Sequence, residues 1–418
     1  MADVSVLDVL LDNVPVGTLT RVAGDRTFFA FDEDYAGMAD RPTLSLAFKD
    51  QFGDLITNVR PVQRRVPPFF ANLLPEGPMR TYLAERAGVK AQREFFLLWV
   101  LGHDLPGAVR VRPADGESWP PNAFAASEDR DDQAALREKA LRFSLAGVQL
   151  KLSAVMEATG GLTIPAHGVG GGWIIKLPSA QFPRVPENEY AMLQLASMLG
   201  MNVPEVRLVD PTAIANLPDG IATLDGSALA IRRFDRTSDD RRLHIEDFAQ
   251  VFNVFPENKY SKATYRNIAT VLGIETSEDD VAEFIRRLVF NTLIGNADMH
   301  LKNWSLIYPD GRSPALAPAY DFVSTIAYIR DANAALKFAR KKRMDELTLD
   351  ELRYLAAKAR LREKLVKDTA IETVEQFHGV WAAEKRHLPI SEDTIAIIDN
   401  HLENLPIARL HRKASRKR

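Results

Sequence analysis

Asp298 and Asn303 have the spacing that phosphoryl transfer requires. They lie in the segment 295–303, directly after an apolar pattern over 281–293 that predicts a buried helix. In the catalytic loop of ATP-dependent kinases, an aspartate accepts the proton of the attacking hydroxyl and an asparagine further along the loop binds magnesium. The spacing therefore predicts such a loop with Asp298 as the base. Lys302, beside Asn303, would stabilise charge on the transferred phosphoryl group.

Asp321 is the predicted second magnesium ligand. It follows a predicted strand over 304–308 and a hairpin at 309–312, and Phe322 comes directly after it. This acid–aromatic pair stands where the DFG aspartate stands in protein kinases. Taken singly, an aspartate at the end of a helix is more often a cap and an asparagine is more often a turn residue. Their combination with Asp321 favours the catalytic interpretation.

Lys176 is the predicted cation for the phosphates. It ends an apolar strand, as the strand lysine of the V-A-I-K motif does. A lone lysine at a strand end usually extends into solvent, but here a predicted helix over 187–200 follows. Glu187 and Glu189 lie at its start, and either would pair with Lys176 or complement the helix dipole. Glu189 is the preferred partner.

Two further segments are predicted to contact a nucleotide. The segment 142–151 has a single glycine, Gly147, so it is neither a Walker loop nor a G-x-G-x-x-G loop. By itself it would be an ordinary strand with a bulge. The apolar strand 229–231 runs into Arg232, Arg233 and Phe234, and such a hinge would bind adenine through backbone hydrogen bonds. A buried edge strand is the alternative for this second segment.

The pattern of elements divides the chain into five segments. Residues 1–112 alternate in polarity between turn formers, which predicts a β-rich N-terminal subdomain. Residues 113–134 are rich in proline, serine and acidic residues and form a linker or a long surface loop. A small sheet with one helix is predicted over 135–235, as the minimum of a nucleotide-clamping lobe. A helical lobe over 236–408 and a basic tail over 409–418 complete the chain.

The composition excludes several classes of protein. The chain has 418 residues with 53 basic against 56 acidic side chains, so its net charge of -3 marks neither a nucleic-acid nor a membrane-surface protein. It has no cysteine, which excludes disulfides, thiolate metal sites and cysteine nucleophiles. The acidic N-terminus is unlike a secretory signal, and no long apolar run suggests a membrane span. We therefore expect a soluble, cytoplasmic protein.

Ordered motifs along nearly the whole chain carry a family resemblance. They are PFFANLLPE (68–76), LGHDLPGA (101–108), FSLAGVQLK (143–151), IIKLP (174–178), ENEY (187–190), RFDR (233–236), HIEDFAQ (244–250), NADMHLKN (296–303) and AYD (319–321). With these motifs the chain resembles HipA-type serine/threonine kinases, the toxin component of bacterial toxin–antitoxin pairs. The resemblance implies an α+β, protein-kinase-like two-lobed fold with a β-rich N-lobe, an all-helical C-lobe and an added N-terminal β-rich subdomain.

The resemblance also implies a set of site residues, ATP and magnesium. In this family the loop covering the phosphates would be Ala146, Gly147, Val148, Gln149, Leu150 and Lys151. Lys176 would bind phosphate; Arg232, Arg233 and Phe234 would contact adenine. His300, Asn303, Tyr320 and Asp321 would hold nucleotide and metal. Ser144 matches the position that such kinases autophosphorylate to switch themselves off.

The same resemblance implies partners, and it has two departures. The known targets of the family are aminoacyl-tRNA synthetases, and its usual partner is a helix-turn-helix antitoxin that binds operator DNA. Family members often carry an acid beside the loop lysine and another at the hinge, where this chain has Leu150 and Arg232. Leu150 removes any acid that would position the loop, whereas a hinge that works through its backbone tolerates Arg232.

Three classes of function are compatible with these residues. The favoured class is an active toxin kinase. A weakly active protein that works mainly as a co-repressor with its antitoxin is the second, and the basic tail suits it because clustered lysine and arginine hold phosphates; a solvated end is the alternative for that tail. A small-molecule kinase is the third, since related folds use the same aspartate and asparagine, but the N-terminal motifs argue against it.

Overall fold

The computed structural model describes residues 5–86, 88–114, 151–156, 162–163, 171–179, 181–217, 225–239 and 241–410. The predicted autophosphorylation site Ser144 and the phosphate-loop residues 146–150 lie outside these ranges. So do the linker beyond residue 114 and the tail beyond residue 410. None of the helices in the described ranges combines the length and the apolar run that crossing a bilayer requires.

The first sheet is antiparallel and holds the strands predicted near the N-terminus. Its order is β4-β3-β2-β1-β5. The strands are β1 (Ser5–Leu11), β2 (Val14–Val22), β3 (Arg26–Phe31), β4 (Val62–Gln63) and β5 (Val109–Pro113). Alternate residues of β1 are buried, as expected for strands with one face on a core. Helices α1 (Glu33–Gly37), α2 (Pro68–Asn72), α3 (Gly77–Arg86) and α4 (Glu94–Leu101) belong to the same region.

The second sheet carries the predicted phosphate-binding lysine. Its order is β10-β7-β6-β8-β11-β9. The strands are β6 (Lys151–Met156), β7 (Leu162–Thr163), β8 (Trp173–Lys176), β9 (Val206–Val209), β10 (Ile214–Ala215) and β11 (Ala228–Arg232). Lys151 of β6 and Leu229 of β11 both pair with Lys176, so this lysine ends a central strand. Helix α5 (Val185–Met198) packs behind the sheet and brings Glu189, in its second turn, toward β8.

The rest of the chain is mainly helical. Its helices are α6 (Phe248–Val251), α7 (Tyr265–Glu275), α8 (Glu278–Leu293), α9 (Leu349–Ala359), α10 (Glu363–Glu384) and α11 (Glu392–Asn404). A third sheet of β12 (His244–Asp247), β13 (Ser305–Tyr308) and β14 (Ala315–Leu316) is added to them. The prediction of an all-helical C-lobe was therefore wrong in this detail. The hairpin after the catalytic loop recruits β12, a strand too short to show a period of its own.

Strand β12 also joins the third sheet to the N-terminal region. Glu246, fully buried, accepts hydrogen bonds from the Ser45 hydroxyl, the Leu46 amide at 3.0 Å and the Tyr308 hydroxyl. His244 donates from Nε2 to the Leu44 carbonyl at 2.8 Å. Burial lowers the pKa of His244 to about 4, although the Leu44 carbonyl favours the protonated ring. The joint therefore holds a neutral imidazole.

We predict that His244→Gln removes one contribution to the dependence of stability on pH. The unfolded histidine binds a proton below about pH 6.5, and the folded one resists it down to about pH 4. The histidine therefore lowers the stability of the wild type as pH falls through this window, and glutamine removes this contribution. The free-energy deficit of the variant should shrink by about 2 kcal/mol between about pH 7.5 and about pH 5. Urea unfolding across this range measures it, and parallel curves would contradict the assignment.

Candidate active site

A buried charge cluster lies where the second sheet faces the segment after β14. The ammonium of Lys176 contacts both Glu189 of α5 and the Asp321 carboxylate. Lys176 and Glu189 are almost completely buried. Lys151 lies 3.4 Å from Asp321 on its outer side. The sequence left Glu187 and Glu189 open as partners, and the structure selects Glu189, since Glu187 instead accepts the Ser227 amide at 2.9 Å.

Lys176 and Asp321 each stabilise the charged form of the other. Burial opposes the charge on Lys176, but Asp321 and Glu189 outweigh burial and raise the pKa of Lys176. Burial would likewise raise the pKa of Asp321, yet Lys151 and Lys176 lower it well below its ordinary range. The pKa of Glu189 is raised, chiefly by burial. Asp321 thus remains a carboxylate, the form that a divalent cation needs.

Asp321 also has an unusual backbone conformation. Its φ of +57° lies in the left-handed region, which aspartate and asparagine tolerate better than most residues. The side chain of Asn296 donates to the Asp321 carbonyl at 3.2 Å and to Asn291 at the end of α8 at 2.8 Å. The predicted catalytic loop therefore holds the Asp321 segment in place.

Asp298 lies at the rim of the cluster with its carboxylate partly covered. Tyr260 donates its hydroxyl to Asp298 Oδ1 at 2.6 Å. Burial raises the pKa of Asp298, and the hydrogen bond from Tyr260 opposes that rise. Asn303 donates from Nδ2 to the Asp298 carbonyl at 2.8 Å, which ties the two ends of the predicted loop together. Nothing in the sequence around Tyr260 had suggested its place here.

The loop that carries Asp298 begins at a glycine for a steric reason. Gly295 has a φ of +68°, and a Cβ at this position would lie 2.4 Å from Ile326. Thr325 contacts the same part of the loop. Its hydroxyl accepts a hydrogen bond from the Ala297 amide at 2.8 Å and donates one to the Gly295 carbonyl at 3.1 Å. The segment after Asp321 therefore packs directly on the start of the predicted catalytic loop.

His300, Tyr320 and Phe234 were predicted to contact nucleotide. Burial, with Lys259 nearby, lowers the pKa of His300 to about 3, so the ring is neutral. Its Nδ1 is buried and has no hydrogen-bond partner among the described residues. Tyr320 donates to the Lys302 carbonyl at 2.9 Å, and its ring lies 5.8 Å from that of Phe234. The hinge and the Asp321 segment thus meet through two aromatic rings.

The side chains of the two arginines in the predicted hinge form ion pairs with acidic residues of the protein. The Arg233 guanidinium is buried against Asp235 and Asp104, a residue of the N-terminal region. The half-exposed Arg232 lies 3.6 Å from Glu205. The backbone amides of both arginines also have partners within the protein. The Arg232 amide donates to the Glu205 carbonyl, and the Arg233 amide donates to the Gly172 carbonyl. Any adenine contact at this hinge must therefore come from other backbone groups.

Lys302 is not brought together with the other predicted catalytic residues. Its ammonium contacts Glu76 at 2.8 Å and the Asn72 carbonyl at 3.1 Å, both in the N-terminal region. The sequence interpretation of Lys302 as a phosphoryl-stabilising cation does not match this geometry. Lys302 instead forms an ion pair with Glu76, which lies far from it in the sequence.

A cavity of about 580 Å³ joins the central groups. Lys176, Glu189, Asp298 and Asp321 all line it. Phe182, Val185, Tyr328 and Ile329 line its outer wall, and the rings of Phe182 and Tyr328 are in edge contact at 5.7 Å. A cavity whose lining combines ionic groups with apolar side chains suits a charged ligand and a larger acceptor.

Comparisons with known proteins match both the N-terminal region and most of the rest of the chain. A family model of the HipA N-terminal domain matches residues 7–112, and one of the HipA-like C-terminal domain matches residues 143–381. Y4dM of Sinorhizobium fredii is 60% identical over 414 residues, covering 98% of this chain and 99% of that protein. The serine/threonine-protein kinase toxin HipA of Shewanella oneidensis is 27% identical over 361 residues, covering 77% of this chain and 76% of that toxin.

A solved structure has the same fold. It is the complex of HipA, HipB and operator DNA from a toxin–antitoxin system of Shewanella oneidensis MR-1, and it matches with a TM-score of 0.73. The match covers 97% of both chains at 21% identity. The predicted kinase-like, two-lobed fold with an N-terminal β-rich region is confirmed, with the third sheet as an addition to the C-terminal lobe.

Proposed function

The chain belongs to the HipA family, and we propose that it is an ATP- and magnesium-dependent serine/threonine protein kinase that acts as the toxin of a toxin–antitoxin pair. One observation carries the proposal: Lys176, Asp321 and Asp298, from three separate segments, line one cavity. A cation for phosphate, a carboxylate for metal and a base for a hydroxyl are what phosphoryl transfer asks of a protein.

The residues present fit magnesium. Within the described ranges, no group of three or more histidine, cysteine, aspartate or glutamate side chains is arranged to hold a metal. Magnesium in kinases needs no such cage, because phosphate oxygens and water complete its shell. Asp321 would supply a carboxylate oxygen and Asn303 its Oδ1, since Nδ2 is already bonded to Asp298. When bound, the ion would neutralise charge on the phosphates.

The roles of the protein groups follow from their positions. Lys176 would contact the phosphates while Glu189 keeps it oriented, and Lys151 would stand on the outer side of Asp321. Adenine would meet backbone groups of the hinge other than the amides of Arg232 and Arg233, which are already bonded within the protein. The unpartnered Nδ1 of His300 would meet the nucleotide. Asp298 would take the proton of the acceptor hydroxyl through the oxygen that Tyr260 leaves open.

The choice of partner and target rests on the relatives. The Shewanella HipA was solved with HipB and operator DNA, and we extend to this chain a helix-turn-helix antitoxin and an indirect contact with DNA. We propose an aminoacyl-tRNA synthetase as the protein target and Ser144 as the site of autophosphorylation. The apolar outer wall of the cavity supports a protein acceptor over a small polar one.

Labelling and growth together test the proposed function. Purified chain incubated with magnesium and ATP labelled on the γ-phosphate should incorporate label at Ser144, located by peptide mass spectrometry. Expression without an antitoxin should arrest growth, and phosphoproteomics soon after induction should find a new phosphoserine on an aminoacyl-tRNA synthetase. Labelling that is absent, or growth arrest that survives Asp298→Asn, would contradict a catalytic toxin.

A further inference from the structure

Glu76 joins the N-terminal region through two ion pairs to two segments, the predicted catalytic loop and the segment that carries Tyr260. It lies in the turn between α2 and α3. Its Oε1 is 2.8 Å from the ammonium of Lys302, and its Oε2 is 2.8 Å from that of Lys259. Both lysine side chains are largely buried, with 14% and 18% of their surface exposed. One carboxylate thus uses both oxygens to hold two partly buried cations.

Each of these lysines is the chain neighbour of a residue in the site. Lys302 directly precedes Asn303, the proposed metal ligand. Lys259 directly precedes Tyr260, which donates to Asp298, and the Lys259 ammonium lies 5.6 Å from the centre of the Tyr260 ring. The Lys259 carbonyl also accepts the Leu301 amide at 3.3 Å. The two segments that Glu76 holds are therefore bonded to each other beneath the site.

The charge on Glu76 persists at every physiological pH. Burial would raise the pKa of Glu76, but the attraction of Lys302 and Lys259 prevails and lowers it to about 2. A second link runs beside it, because Lys302 also donates to the Asn72 carbonyl at 3.1 Å. Asn72 in turn donates to the Val254 carbonyl at 2.8 Å. Glu76 is thus the charged centre of a tight contact.

We infer that Glu76 is a positioning residue for phosphoryl transfer, which makes the N-terminal region part of the working active site. Glu76 holds Lys259 and Lys302, and these fix Tyr260 on the base and Asn303 beside the metal. The inference rests on the proposed function. It gives Lys302 a task that its geometry allows, since an ammonium engaged by Glu76 and Asn72 does not face the cavity.

Glu76→Gln tests this inference, because glutamine keeps the size of the side chain and removes its charge. We expect the limiting rate of labelling from ATP to fall at least about tenfold, because small displacements of catalytic groups are costly. The ATP concentration giving half the limiting rate should stay within about twofold, since Glu76 pairs with Lys259 and Lys302 and not with Lys176, the cation proposed for the phosphates. A role confined to stability would leave the limiting rate of the folded protein unchanged.

Glu257→Gln is the matched control. Glu257 pairs with Arg65 across the same contact between the two regions, two positions before Lys259, but it contacts neither lysine nor the catalytic loop. It should keep the wild-type limiting rate, and thermal unfolding of both variants reports whether each is folded. If the limiting rate fell equally in both variants, the cause would be a general weakening of the contact between the two regions. That result would overturn the inference.

A double variant keeps the test decisive if Glu76→Gln is unstable. Lys302→Gln breaks the same pair from the other side, so Glu76→Gln with Lys302→Gln should be no slower than the slower single variant. Effects that multiply, or a Glu76→Gln rate at or above wild type, would overturn the inference. Absence of labelling by the wild type itself would instead refute the proposed function.

Discussion

Asp298→Asn is expected to lower the rate of phosphoryl transfer by roughly 10²- to 10⁴-fold, the range for removal of a general base. Asparagine has the same shape and still offers Oδ1 to the Tyr260 hydroxyl, so the hydrogen bond at 2.6 Å is retained. What is lost is an oxygen that can take a proton. Initial rates of labelling from ATP measure the loss, and binding of a fluorescent ATP analogue should change little.

Asp279→Asn is the control for this substitution. It makes the same chemical change on an exposed residue at the far end of α8, the helix that leads into the catalytic loop. Its labelling rate should equal that of the wild type. Because burial raises the pKa of Asp298, the wild-type rate should decline on the acid side at a pH above that at which an ordinary aspartate titrates. Asp298→Asn with near wild-type labelling would show that another group is the base.

The sequence predicted the inner site because its signals are local. The interval between Asp298 and Asn303, the hairpin before Asp321 and the strand ending at Lys176 are all short patterns in which geometry follows from spacing. Glu189 was preferred to Glu187, and the structure agrees because only Glu189 contacts the lysine. The two glutamates are two residues apart, so they lie on nearly opposite sides of the helix and only one of them can face the lysine.

The outer contacts had no local signal. Glu76 and Lys302 lie far apart in the chain, and their pairing depends on how the N-terminal region docks. Tyr260 lies in a segment without regular periodicity, so nothing marked it as a neighbour of Asp298. Arg233 was placed at the adenine by its position in a strand, but Asp104 and Asp235 draw its side chain into a buried cluster. Ion pairs between distant segments override what a strand position suggests.

Lys176→Met should impair both stability and activity. It removes the cation that Glu189 and Asp321 share and leaves the buried Glu189 without a partner, whereas the partly exposed Asp321 retains Lys151 at 3.4 Å. Breaking a buried pair from one side costs about 3–5 kcal/mol, which urea unfolding measures. Loss of a phosphate-binding charge should lower the labelling rate by roughly 10²- to 10³-fold.

A second substitution separates these two effects. Glu189→Gln added to Lys176→Met removes the carboxylate left without a partner, so most of the lost stability should return. Activity should not return, because no cation is restored to the phosphates. In the single variant the pKa of Glu189 would rise further, and the folded state would then bind more protons than the unfolded state. Its stability deficit should therefore shrink as pH falls. A double variant with wild-type labelling would mean that Lys176 serves the fold alone and that another cation, with Lys151 the nearest to Asp321, meets the phosphates.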